Sequence, residues 1–149
     1  MPERKAMAVA VKRVYEPVSG SDGARVLVDR LWPRGLSKGE AALAAWLRDL
    51  APSDDLRKWY HAQPQQWVLF RKRYLKELSL PQAQNDLEQL YDLARSRKRL
   101  TLLYASKNET HNNAVVLKEL LEGARKPPTG TGGGILKAMR SREAAVRRR

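Results

Sequence analysis

The chain has 149 residues, 42% of them apolar, with no cysteine and only two histidines. It is long enough for one real core and too short for two ordinary domains, and it excludes a disulfide framework, a thiolate nucleophile and a cysteine-ligated zinc. A formal charge of +13, from 29 Lys and Arg against 16 Asp and Glu, favours weak association with polyanions at low salt.

The opening MPERKAMAVAVKRVYE offers six consecutive apolar residues, Ala6 to Val11, before Lys12. That is shorter than a signal-peptide core and far short of a membrane span, so a cytoplasmic protein with no membrane partner is expected. Ala8 to Val11 has strand composition, and EPVSGSDGA is a loop by its turn chemistry. Arg25 to Asp29 is the second predicted strand, with Val26, Leu27 and Val28 unbroken as in a strand covered on both faces. The direction of the first strand is open.

After VLVDRLWPRGLS the spacing of Leu43, Trp46, Leu47 and Leu50 predicts a helix over EAALAAWLRDL, closed by Ala51-Pro52. Ser53 is an N-cap, Asp54 and Asp55 suit the positive end of a helix dipole, and Leu56, Trp59 and Tyr60 form an apolar face ending near Gln63-Pro64. The most regular helix is PQQWVLFRKRYLKEL, with Trp67, Phe70, Tyr74, Leu75 and Leu78 on one stripe. Another follows Pro81 with Leu87, Leu90, Tyr91 and Ala94 inward, and ends in the basic run Arg95 to Arg99.

Leu100 to Ala105 is the third predicted strand, leading through SKNETHNN to a helix from about Asn113 to Glu122, with Ala114, Leu117, Leu120 and Leu121 inward and Gly123 as its stop. KPPTGTGGG then reads as a linker. The predicted organisation is one domain over residues 1–123, a Pro/Gly linker over 124–134 and a basic tail over 135–149. Residues 124–149 hold +7 of the net charge. Strands alternating with helices imply an α/β layer fold: a short, mostly parallel sheet with several helices between the second and third strands.

Ligands of open α/β sheets sit at the carboxyl ends of the strands. Two polar segments fall there. One is Asp29, Arg30, Trp32 and Arg34 around Pro33 and Gly35; the other runs from Tyr104 to Asn113 and opens a helix. Helix amino termini attract anions, and guanidinium groups grip phosphate or carboxylate through paired hydrogen bonds. The candidate ligand-binding residues are Arg30, Trp32, Arg34, Arg71, Tyr104, Asn112 and Asn113, with Trp32 as a stacking platform and Arg71 either reaching over the edge of its stripe to water or, the reading preferred, pointing into a polar pocket. Asp29 and His111 are the candidate bases for catalysis. A structural reading competes: Arg30 or Arg34 paired with Asp29 or Asp49, Trp32 capping the core, and His61 and His111 serving helix ends. Two isolated histidines make no metal site, no glycine-rich phosphate loop follows either strand, and no cofactor is indicated.

Four motifs in order, DRLWPRG, LAPSDDLRKWYH, WVLFRKRYLKEL and TLLYASKNETHNNAVVLKELL, resemble the YeaO-like family of uncharacterised bacterial proteins, a branch of a larger domain-of-unknown-function family, over about residues 7–122. The resemblance implies a small Rossmann-like three-layer domain with no established activity. It matches the family pattern at Asp29, Arg30, Trp32, Pro33, Arg34, Gly35, Trp59, His61, Tyr74 and Asn113. Related branches carry cysteines near the last motif; this chain has none, so thiol or metal chemistry does not transfer. The extension after Gly123 stands outside the resemblance. Three functions compete: a site for a small anionic or nucleotide-like ligand, nucleic-acid association through the basic tail, and a non-catalytic protein-interaction module.

Overall fold

The computed structural model describes residues 8–123; the predicted linker and basic tail lie outside them. Four strands, β1 (Val9–Arg13), β2 (Ala24–Leu27), β3 (Ala45–Trp46) and β4 (Leu100–Tyr104), form one sheet in the order β1-β4-β2-β3. Every neighbouring pair is parallel, so β1 runs with the others. All residues of β2 and β4 are buried, as central parallel strands covered on both faces must be.

Alternation along these strands divides the core in two. Val26, Val28, Leu102 and Tyr104 face the larger cluster, built with α2 (Asp54–Ala62), α3 (Trp67–Leu78), α4 (Pro81–Ser96) and α5 (Asn113–Gly123). Leu27 and Leu103 face a smaller cluster with Val14, Trp32, Leu36, Leu43 and Trp46. That second face is covered by the segment after β2 and the short α1 (Lys38–Ala41).

The helix predicted over residues 40–50 is not formed. Ser37 and Glu40 cap α1 reciprocally, but the helix stops at Ala42, which adopts a left-handed conformation (φ 48°, ψ 55°). The chain then extends as β3. Ala44 N–H donates to the Arg25 carbonyl at 2.7 Å, Leu47 N–H donates to the Leu27 carbonyl at 2.9 Å, and a 3-10 turn follows over Arg48–Leu50. Leu43 and Trp46 enter the smaller cluster, whereas Leu47 and Leu50 enter the larger one. A spacing that reads as one helical stripe therefore comes from burial on opposite sheet faces, and the exposed edge of β2 gains hydrogen-bond partners no helix supplies.

The later elements follow the sequence expectations. Ser53 Oγ accepts the Leu56 N–H at 3.1 Å as the cap of α2 and donates to Glu77 at 2.5 Å. Phe70, Tyr74, Leu75 and Leu78 bury the α3 stripe, and Pro81 opens α4. Trp59 and Trp67 are only partly buried, with the Arg73 guanidinium 4.4 Å over the Trp59 ring. Among the described residues no helix is long and apolar enough to cross a membrane.

Candidate functional site

Because β2 and β4 are parallel neighbours, the loops leaving their carboxyl ends emerge side by side. Both line one hollow of about 850 Å³, within the usual size of a small-molecule site. From the β2 loop come Asp29, Arg30, Leu31, Trp32, Pro33 and Arg34; from the β4 loop come Ala105, Ser106, Lys107, Asn108, His111, Asn112 and Asn113.

The two corners are joined by direct bonds. Asp29 Oδ2 accepts the Ala105 N–H at 2.9 Å, and Oδ1 accepts from Asn113 Nδ2 at 3.1 Å. The same Asn113 amide donates to the Val28 carbonyl at 3.0 Å. Burial raises the Asp29 pKa above its ordinary value, and these two hydrogen bonds pull it back only in part. Trp46 Nε1 donates to the Asp29 carbonyl at 2.8 Å, so β3 helps hold the acid in place.

The cations are less restrained. Arg30 lies 3.9 Å from Asp49 and donates to the Ala51 carbonyl at 3.3 Å. Both partners of that pair are partly exposed, so the structural reading is realised for Arg30 only as a loose contact. Arg34 is exposed and makes no ion pair among the described residues. Trp32 serves the core as well as the hollow. Its indole N–H donates to the Leu36 carbonyl at 2.6 Å, and its ring meets Trp46 edge-on at 5.3 Å.

Asn112 lines the hollow with both ends of its amide engaged: Oδ1 accepts the Val115 N–H at 3.0 Å, capping α5, and Nδ2 donates to the Asn108 carbonyl at 2.8 Å. The His111 ring stacks on Trp67 at 4.6 Å, and its carbonyl accepts from the Tyr60 hydroxyl at 3.1 Å.

Two expected members stand elsewhere. Arg71 pairs with Glu119 of α5 at 2.7 Å on the surface, because Phe70 takes the inward direction on α3 and the next residue turns about 100° away. Tyr104 is 2% exposed in the larger core, since it shares its strand face with Leu102. Its hydroxyl pKa is raised by burial and by the nearby Glu109 and Glu16 charges.

The wall also contains Tyr15, Arg57, Tyr60, His61 and Phe70, none of which the sequence placed there. Tyr15 donates to the Arg34 carbonyl at 2.9 Å, and Arg13 holds the β4 loop through the Ser106 and Ala105 carbonyls, each at 2.9 Å. Arg13 is the last residue of β1 and Tyr15 follows it, and a known parallel direction for that strand is the signal that would have found them. Among the described residues no group of three His, Cys, Asp or Glu side chains could hold a metal ion.

Together these features define a small, all-parallel α/β domain with a cation-rimmed hollow at its strand carboxyl ends. The chain belongs to the family described as "Inactive DUF488-N3 subclade", which it matches over residues 8–131. It is similar to the uncharacterised protein YeaO of Escherichia coli K12, at 45% identity over 115 residues, covering 77% of this chain and 97% of that one. It is also 41% identical to the uncharacterised proteins Mb3100c of Mycobacterium bovis and Rv3073c of Mycobacterium tuberculosis H37Rv, over 77% of this chain and 94% of each. No solved structure gives a significant match. The family match runs past Gly123 to residue 131, so the pattern includes the start of the Pro/Gly segment expected to lie outside it.

Proposed function

We propose that the hollow binds a small organic anion bearing phosphate or carboxylate. The observation that carries this reading is the charge of its wall: Arg30, Arg34, Arg57 and Lys107 line it with His61 and His111, against the single carboxylate of Asp29. Guanidinium groups at a pre-formed apolar hollow recognise oxyanions through paired hydrogen bonds. The word "inactive" in the family description favours holding the ligand over turning it over. In that reading Asp29 and His111 shape the site; as catalytic groups they would instead exchange a proton with the ligand.

A thermal-shift screen over inorganic phosphate, sugar phosphates, nucleotides and carboxylates at millimolar concentration tests the reading, because a ligand of the folded state raises the melting temperature by mass action. Arg34→Ala should weaken the best stabiliser by roughly tenfold, the loss of one charge-assisted hydrogen bond. If no anion shifts the melting temperature, the proposal fails.

A second reading has its own observation. Helix α5 meets α4 where the Tyr91 hydroxyl donates to the Leu120 carbonyl at 3.4 Å. Both end at the amino-terminal pole of the sheet, so Gly123 lies at the pole where Arg97, Lys98 and Arg99 are exposed. The last described residue thus lies at the same pole as this basic cluster, on the far side from the hollow, and residues 124–149 carry a further +7. That favours a polyanion, nucleic acid included, at this pole. In the full chain, replacing Arg147, Arg148 and Arg149 by Gln should lower retention on DNA and RNA and flatten its salt dependence; unchanged retention removes the tail from the account.

A further inference from the structure

We infer that the ligand of the hollow carries, besides its anionic group, a planar ring that donates N–H hydrogen bonds to Asp29, as a purine nucleotide does. This deepens the anion reading above and rests on it.

The argument starts from a mismatch. Asp29 is an acid among cations, yet among the described residues it forms no ion pair. The adjacent Arg30 turns instead toward Asp49 and the Ala51 carbonyl. Each Asp29 oxygen accepts one hydrogen bond from the protein, from Ala105 or from Asn113. A carboxylate offers about four acceptor sites, so each oxygen retains an acceptor position. A ligand that was only an anion would fill the hollow with charge of the same sign as Asp29 and be repelled there. An occupant placing N–H donors against Asp29 removes that repulsion and completes the acid's hydrogen bonding. A guanine edge sets two N–H groups side by side against the two oxygens of one carboxylate, and an adenine amino group sets one donor there; carboxylates take paired donors in the same way from guanidinium groups.

The shape of the wall supports a flat head. Tyr60 and Phe70, both on the hollow, stack at 4.2 Å with 17° between their planes. His111 presents a ring backed by Trp67 at 4.6 Å and 12°. Trp32, by contrast, has its indole N–H bonded to Leu36 and its ring packed edge-on against Trp46, so the flat surface lies on the α2–α3 side. The volume of about 850 Å³ far exceeds what phosphate alone occupies. With the ring at Asp29, the anion falls to the remaining cations, Arg34, Arg57 and Lys107.

The test deletes the donor from the ligand. Calorimetric titration of the full chain compares ribose 5-phosphate, purine riboside 5′-monophosphate (a ring without N–H), AMP and GMP. AMP or GMP should bind about tenfold more tightly than the N–H-free nucleotide, the worth of one good hydrogen bond in a buried site. Asp29→Asn should abolish most of that preference while ribose 5-phosphate keeps or gains affinity, since the like charge is gone. Should the variant fail to fold, the comparison on the unaltered chain decides by itself. Equal affinities for the three nucleotides, or a preference that survives Asp29→Asn, overturn the inference; so does stabilisation by ringless anions alone, which leaves the anion reading standing. Absence of binding by every anion removes both.

Discussion

Asn113 and Asp29, distant in sequence, are joined by a 3.1 Å hydrogen bond from the Asn113 amide to the Asp29 carboxylate, while the same nitrogen reaches the Val28 carbonyl at 3.0 Å. One side chain at the first turn of α5 thereby closes the end of β2 and orients the acid of the hollow. The polar groups of this junction are largely withdrawn from water, which makes the amide hard to replace.

Asn113→Ala should cost about 2 kcal/mol, because it leaves acceptors at a buried junction without their donor. The cost should also depend on pH. Burial raises the Asp29 pKa, and the Asn113 bond lowers it, so the variant's folded-state pKa is higher still. Stability held while the carboxyl is protonated is lost as pH rises through that raised value. Urea unfolding should therefore show a larger deficit at neutral pH than in acid; the same deficit at both would mean that the bond does not couple to the charge.

At the start of β2, Asp22 meets Arg25 at 2.6 Å and Lys12 at 3.0 Å, with Asp22 and Arg25 both nearly buried. Burial pushes the Asp22 carboxyl upward, but hydrogen bonds from Ser19, Lys12 and Arg25 and the Lys12 charge outweigh it, and its pKa falls below the ordinary value. The stability this supplies is present at neutral pH and is lost as pH falls below the ordinary carboxylate range through the lowered value. Asp22→Asn should cost about 3 kcal/mol at neutral pH by leaving Arg25 buried without its counterion. Denaturation midpoints for the variant should flatten across the acid range where the natural chain declines.

Two backbone positions predict opposite signs. Gly23 has φ 67°, and a Cβ there would lie 2.3 Å from the Arg99 carbonyl oxygen, the acceptor of the Ala24 N–H that leads into β2. Gly23→Ala should destabilise by about 3 kcal/mol or more, combining strain with a backbone clash. Ala42 is exposed with φ 48°, so Ala42→Gly should stabilise by about 0.5 kcal/mol, the relief of left-handed strain exceeding the added freedom of the unfolded chain. Melting temperatures of the two variants should move in opposite directions.

Local chemistry settled a good part of this protein before any coordinates. The Ser53 cap, the stripe through Phe70, Tyr74 and Leu78 and the buried Val26–Leu27–Val28 run each depend on neighbours within a turn or two, and the structure contains them all. The polar corners after two strands also marked the end of the sheet where the hollow lies. Tertiary structure alone decided the rest. Residues 43–50 became an edge strand and a turn because β2 offered an unpaired edge and apolar cover on two faces, a demand no local spacing records. Arg71 and Tyr104 left the site, and Tyr15, Arg57, Tyr60 and Phe70 joined it. A side chain's direction is set by which neighbour covers which face, and that is fixed only when the sheet order is.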